Sequence, residues 1–195
     1  MSDLFLLLAA IVVVAALVSW FGRRERLAPV WARAAEDLGL PPPPRKGFLS
    51  RPSLSGTVDG RRLRVRERAD NESDWIDYDL GVLHGLPSGL TVKAASIGSR
   101  VPVVGTLLSG GRHHIETGDG RFDASFVVVG DDPAEVGDFL TDERRAVLVW
   151  LAQECPGFRL KNGELKYRFG GDTEQIGNVA RPARAMIEAA RVLGG

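Results

Sequence analysis

Residues 4–21 (LFLLLAAIVVVAALVSWF) are 18 consecutive positions without a charge, and only Ser19 among them is not hydrophobic. A helix rises about 1.5 Å per residue, so the run covers roughly 28 Å, close to the hydrocarbon thickness of a bilayer. A helix that is apolar on every face has to be buried on every face, and at this length lipid does so more readily than a domain core. A cleaved signal peptide would carry a basic start and a small-residue cleavage site. Here Met1-Ser2-Asp3 opens the chain and Trp20-Phe21 closes the run, which lacks both features. The expectation is a single-pass transmembrane anchor over residues 1–22, partnered by the lipid bilayer through residues 4–21.

Flanking charge sets the expected orientation. Asp3 precedes the run, whereas Arg23, Arg24 and Arg26 follow it with one Glu25. The positive-inside rule then places the N-terminus outside and the remainder in the cytoplasm, at a bacterial inner membrane. Trp20 stands at the edge of the run, where an interfacial aromatic is expected.

Beyond the anchor the composition suits one soluble domain of average size. The chain carries 25 Lys+Arg and 25 Asp+Glu, without the basic excess of a general nucleic-acid binder, so no nucleic-acid partner is expected. A single cysteine, Cys155, excludes an intrachain disulfide and any multi-cysteine metal site. It falls at the end of a predicted helix, where the dipole disfavours a thiolate.

Residues 29–39 read as a short helix: Pro29 suits the first turn, Gly39 the position past the end, and Val30, Ala34 and Leu38 recur every four residues. Pro41 to Pro44 then impose an extended stretch. Residues 23–46 are accordingly expected to be a juxtamembrane helix and proline-rich linker, with a globular domain over 47–195. Asp59-Gly60 and Asn162-Gly163 admit the positive φ of tight hairpins, predicting strand pairs 54–58 with 61–68 and 158–161 with 164–169. Asp119-Gly120 predicts a third turn between strands 113–117 and 121–129, and residues 90–96 a further strand. Residues 97–111 give no firm assignment. Asp132-Pro133-Ala134-Glu135 has the form of a capping box, and Thr141 caps a helix over 142–154. A last helix starts near 172–175 or near Asn178, with Pro182 at a kink or in its first turn. Two helix–hairpin units, around Asp59-Gly60 and Asn162-Gly163, form a faint internal echo.

Arg62, Arg64, Arg66 and Arg68 alternate with Leu63, Val65 and Glu67, so period two puts four guanidinium groups on one face. Pairing residue 68 with 75 sets Arg66 against Asp77 and Arg64 against Asp79, with Val65 on Tyr78 and Leu63 on Leu80. A one-residue slip would spoil both faces. The strip therefore reads as a cross-strand ion ladder capped by an Arg68–Trp75 contact. Anionic-lipid contact through Arg23, Arg24, Arg26, Arg62, Arg64 and Arg66 is the functional alternative. His113, His114, Glu116, Asp119 and Asp123 hold the side chains of a metal or acid–base site, but adjacent histidines on a strand point apart and His84 is remote. The glycine-rich stretch 105–111 lacks a P-loop lysine, and Gly85-Leu-Pro-Ser-Gly89 is not a nucleophile elbow.

Gly118-Asp119-x-x-Phe122-Asp123-x-x-Phe126-x-Val128-x-Gly130-x-Asp132-Pro133, followed by Leu140-Thr141, resembles a pattern in uncharacterised, membrane-anchored bacterial proteins. In them a G-D-x-x-F-D strand leads through a D-P cap to a helix and a short hairpin. The resemblance covers about residues 113–170 and the anchor. It implies a single-pass membrane protein with a small α+β domain and brings no catalytic residues. On that strand Phe122, Ala124, Phe126 and Val128 would share one face.

The expected architecture is α+β: an N-terminal transmembrane helix, then a mainly antiparallel sheet of hairpins packed against two or three helices. With no catalytic constellation and no cofactor or metal motif, the expected role is a non-enzymatic, membrane-tethered interaction module for a protein partner. The alternative is a small-ligand or lipid-binding domain whose pocket, between sheet and helices, is lined by Trp75, Tyr78 and Trp150.

Overall fold

Strict alternation of apolar and charged residues builds most of this fold, as seen in a computed structural model that describes residues 11, 12, 14, 22, 25–43, 51–70, 73–81, 85–95 and 113–194. The strands are β1 (Ser53–Val58), β2 (Arg61–Ala69), β3 (Asp74–Gly81), β4 (Thr91–Ala94), β5 (His113–Ile115), β6 (Phe126–Gly130), β7 (Arg159–Lys161) and β8 (Glu164–Gly170). They form one sheet in the order β1-β2-β3-β8-β7-β4-β6-β5, and every pairing is antiparallel. The β7–β8 hairpin is inserted between β3 and β4, which join consecutive stretches of chain. The α+β class with an antiparallel sheet agrees with the expectation.

Both expected hairpin turns have the left-handed conformation that Asp or Asn followed by Gly supplies: Asp59 at φ 50° with Gly60 at 73°, and Asn162 at 50° with Gly163 at 74°. The β2–β3 register also agrees residue for residue, with Arg64 opposite Asp79, Val65 opposite Tyr78 and Arg66 opposite Asp77.

The helices are α1 (25–37), α2 (Gly120–Ser125), α3 (Pro133–Phe139), α4 (Asp142–Glu154), α5 (Thr173–Ile176) and α6 (Ala180–Leu193). Asp132 caps α3, accepting from Ala134 N at 2.8 Å with Pro133 in the first turn; Thr141 caps α4. The last helical stretch is divided. Gly177, at φ 66°, ends α5, the Asn178 side chain accepts from Ala180 N and Arg181 N, and Pro182 falls in the first turn of α6. That position costs proline nothing, because the first-turn N–H groups lack helical partners anyway.

Two expectations change. The segment after Asp119 is the short helix α2, not a continuing strand, and Asp119-Gly120 is not a hairpin turn. Asp119 caps α2 through Arg121 N at 3.0 Å and Phe122 N at 3.1 Å. Phe122 and Phe126 therefore meet at helical spacing, their rings stacked 4.7 Å apart, while Ala124 is exposed. Residues 25–40, expected to stand outside the domain, contribute Leu27, Trp31, Ala34, Ala35, Leu38 and Leu40 to its core. A Cβ on Gly56 of β1 would come within 2.6 Å of Leu40 Cδ2, so the end of this segment lies directly against the sheet.

The core lies between one sheet face and the layer of α1, α4 and α6. Leu63, Val65, Ile76, Tyr78, Leu80, Leu160, Leu165, Val92 and Val128 supply the sheet side; Met186, Ile187, Leu148, Leu151 and Trp31 supply the helix side. Tyr78 hydroxyl donates to Val179 O at 3.1 Å, pinning the start of α6 to β3. Burial holds that hydroxyl neutral, well above its ordinary range. Arg184 reaches Asp37 of α1, Arg181 reaches Glu154 of α4, and Arg191 reaches Asp59 of the β1–β2 turn, at 2.7, 2.9 and 2.7 Å. Solvent screens these exposed pairs, so they mainly fix direction.

One buried polar chain crosses the core. Trp31 Nε1 donates to Thr173 Oγ1 at 3.1 Å, and that hydroxyl donates to Glu67 Oε2 at 2.6 Å. Removing the shared hydroxyl leaves a buried indole N–H without an acceptor and a buried carboxylate short of a donor. Thr173→Val is expected to lower stability by roughly 2–4 kcal/mol in urea titrations of the solubilised chain. A loss under about 0.5 kcal/mol, the scale of an ordinary surface change, would contradict this.

Candidate functional site

Among the described residues the second sheet face carries no helix layer, and register identifies its residues. Starting from Arg64, the ladder runs through Asp79, Lys166, Arg159, Lys93 and Val127 on successive strands. The parallel row contains Arg62, Gly81, Glu164, Lys161, Thr91 and Val129. Toward the other end stand Arg66, Asp77 and Arg168, and then Arg68, Trp75 and Gly170. The face thus holds nine basic residues (Arg62, Arg64, Arg66, Arg68, Lys93, Arg159, Lys161, Lys166 and Arg168) against Asp77, Asp79 and Glu164. A chain with zero net charge therefore concentrates a surplus of six positive charges on one surface.

The expected ladder is present in register but not in its bonds. Arg66 pairs diagonally with Asp79 at 2.8 Å, Arg68 with Asp77 at 3.1 Å, and Arg168 with the other oxygen of Asp77 at 2.9 Å. Long side chains lean along the strand, so the diagonal neighbour is within easier reach than the facing one. Trp75 is covered by Arg168, 4.8 Å from the ring centroid, rather than by Arg68, and its Nε1 donates to Asp77 at 3.2 Å. Three arginines thus converge on β3, while Arg62, Arg64, Lys93, Arg159 and Lys161 have no ion-pair partner among the described residues. Lys166 leans on Glu164 of its own strand at 2.8 Å, and that bond raises its pKa.

Trp75, Tyr78 and Trp150 do not come together. Trp75 is on the uncovered face, Tyr78 is buried on the helix-covered face, and Trp150 is on α4, half-buried at the margin of the core. An open cavity of about 450 Å³ sits at the end of β1, β2 and β3, lined by Arg51, Pro52, Ser53, Arg66, Glu67, Arg68, Ala69 and Trp75. It is not between sheet and helices. Among the residues expected to meet lipid, Arg62, Arg64 and Arg66 share the uncovered face. Arg26 is exposed on α1, its Nε donating to Gly22 O at 3.3 Å; Arg23 and Arg24 lie outside the described residues.

The second expected cluster is taken up with local structure. The Asp123 carboxylate accepts from Thr117 N, Thr117 Oγ1 and Gly118 N at 2.8–3.1 Å, and Asp119 caps α2. His113 and His114 are exposed on the edge strand β5, as is Glu116 beyond it. No group of three His, Cys, Asp or Glu side chains suited to a metal occurs among the described residues. His84 and residues 97–111 lie outside them. Cys155 ends α4 fully buried, donating toward Pro182 O at 3.8 Å, and burial pushes its thiol up to about 12.

The resemblance motif accordingly reads as a helix start: Gly118 supplies φ 81°, Asp119 caps, Phe122 fills the core and Asp123 closes the preceding loop. The chain matches no family model, no curated protein and no solved structure.

Lys93, Arg159, Lys161, Lys166 and Arg168 are the site residues that sequence reasoning missed. Their signal was the same period-two alternation as in β2, in Arg159-Leu160-Lys161 and Glu164-Leu165-Lys166-Tyr167-Arg168. Only the strand order shows that they share the face of the β2 arginines.

Asp119 yields a pH test. Backbone N–H groups of Phe122, then Arg121, hold its carboxyl below the ordinary 3.8. A lowered folded pKa means stability that is complete above the unfolded value and is lost as pH falls through the folded one. Asp119→Asn is expected to flatten the acid limb of the stability–pH curve below about pH 5. An unchanged acid limb in denaturant titrations at stepped pH would contradict the cap.

Proposed function

We propose that the chain is a non-enzymatic, single-pass, membrane-tethered interaction module, with its α+β domain on the cytoplasmic side of a bacterial inner membrane and the uncovered sheet face as its docking surface for a protein partner. The observation that carries this reading is the surplus of six positive charges on a sheet face that has no helix layer among the described residues. A large one-signed surface on a neutral chain is a steering and recognition feature, not a requirement of folding.

Tethering has its own support. The expected anchor lies mostly outside the described residues, but its positions 11, 12 and 14 are helical, with Ile11, Val12 and Val14 exposed at 59, 60 and 58%. Apolar side chains exposed in this way call for a covering. No helix of the described residues is long and apolar enough to cross a membrane, so the span rests on the uncharged run itself and on the resemblance to membrane-anchored proteins. Leu27 is already in the core. Only five residues lie between it and Phe21, at most about 21 Å of chain even if fully extended, so a domain on this anchor sits close to the bilayer surface.

A ligand-binding reading has less behind it, because the cavity at the end of β1–β3 is open and its charged groups are already in ion pairs, Arg51 with Glu67, Arg66 with Asp79 and Arg68 with Asp77.

The anchor is tested by Val12→Arg, since an arginine near the centre of a span costs about 2.5–3.5 kcal/mol on insertion scales. The wild-type chain is expected to stay with membranes after alkaline carbonate washing, and the variant to be released in substantial part. A wild-type chain recovered in the wash would contradict tethering. Orientation is tested with Cys155, which the fold shields. A membrane-impermeant thiol reagent is expected to label it only after the membrane is opened and the domain unfolded. Labelling from the outer side of sealed spheroplasts in denaturant would reverse the topology.

A further inference from the structure

The chemistry of the partner follows from a row of like charges that the fold neutralises only at Lys166, through Glu164 of the same strand. Lys93, Arg159 and Lys166 face one another directly on β4, β7 and β8. Like charges directly opposite in an antiparallel ladder destabilise it, and no acidic side chain of the described residues pairs with Lys93 or Arg159. Lys161 adds a fourth cation one row away. All four are exposed. Elsewhere on this face the same sheet brings acids to its bases, at Asp77 and Asp79. Counter-charge is missing at Lys93 of β4 and at Arg159 and Lys161 of β7, side by side, and separately at Arg62 and Arg64 of β2.

We infer that this row docks an acidic helix of the partner protein, lying across the strands with carboxylates on one face. The inference rests on the interaction-module reading and names its partner's chemistry. Neighbouring strands are about 4.8 Å apart, so three consecutive cations recur at that step. Carboxylates at i, i+4 and i+7 of a helix recur about every 5.4 Å along its axis. The two series drift by little more than 1 Å over two steps, which Lys and Arg side chains absorb. Asp79 interrupts the row before Arg64, so the charge order from β4 to β2 is plus, plus, plus, minus, plus. That pattern suits a partner with its own fixed charge order better than a uniformly anionic bilayer. The exchange is of counter-ions only, with no covalent step.

The test uses the full chain in phosphatidylcholine nanodiscs and a fluorescent, alanine-based helical peptide with Glu at i, i+4 and i+7. A control peptide of the same composition carries its three Glu consecutively, and binding is read by anisotropy at low and high salt. The patterned peptide is expected to bind at least tenfold more tightly than the control and to weaken with salt. Lys93→Gln combined with Arg159→Gln is expected to reduce binding at least tenfold while the melting temperature stays level or rises, because a like-charge contact is removed. Arg33→Gln, exposed on α1 on the other side of the sheet, is expected to change binding less than threefold.

Equal binding of the two peptides, binding that survives the double substitution, or equal competition by an oligothymidylate of the same charge would each overturn the inference. So would nanodiscs containing phosphatidylglycerol, if they shield Lys93 and Lys161 from acetylation, because the face would then belong to lipid. Loss of peptide binding by a chain still held in the nanodisc defeats this inference and leaves tethering intact. A chain that carbonate releases defeats tethering, whereas patterned-peptide binding by that chain still supports the acidic helix.

Discussion

The whole structure depends on one constraint: each strand of the sheet must present its apolar residues to the helices without a slip. Side chains alternate faces with period two, so a one-residue error on β2 would place four arginines against Tyr78, Met186 and the rest of the core. The burial of Leu63, Val65, Ile76, Tyr78 and Leu80 then dictates that Arg62, Arg64, Arg66 and Arg68 face outward together. The same holds for β7 and β8, where buried Leu160, Leu165 and Tyr167 send Arg159, Lys161, Lys166 and Arg168 to the same surface. The basic face is thus the geometric complement of the core, and the two cannot be altered independently.

Local chemistry was legible in the sequence wherever a single residue type has one structural use. Asp-Gly and Asn-Gly turns, the Asp132 and Thr141 caps, and the β2–β3 register all follow from that. The segment after Asp119 was not legible, because Phe122, Ala124, Phe126 and Val128 satisfy period two while Phe122 and Phe126 alone also satisfy helical spacing. Exposed Ala124 and the two N–H groups held by Asp119 decide for the helix. Nor did the sequence disclose that the β7–β8 hairpin enters between β3 and β4, since sheet order is set by packing across the whole domain. That insertion hid most of the candidate site: the arginine strip read as neutralised when only β3 was considered beside it.

Zero net charge consequently has two meanings here. At Arg66 and Arg68 of β2, at β3 and at Arg168 of β8 it is built residue against residue, around Asp77 and Asp79. Over β4 and β7 it is only an average, with cations on the uncovered face balanced by acids such as Asp119, Asp132 and Glu135, which serve helix starts. Helix caps need carboxylates at positive helix ends, so those acids cannot also neutralise the sheet. A fold that keeps facing cations unpaired forgoes a little stability, as binding surfaces commonly do.

Docking through the basic face requires that face to be open in the folded chain, and lysine acetylation followed by mass spectrometry tests this directly. The chain has four lysines, of which Lys93, Lys161 and Lys166 are on this face. In neutral nanodiscs Lys93 and Lys161 are predicted to react at the rate of fully exposed amines, and Lys166 more slowly because Glu164 holds its ammonium charged. Protection of Lys93 and Lys161 in the folded chain that disappears on unfolding would contradict it.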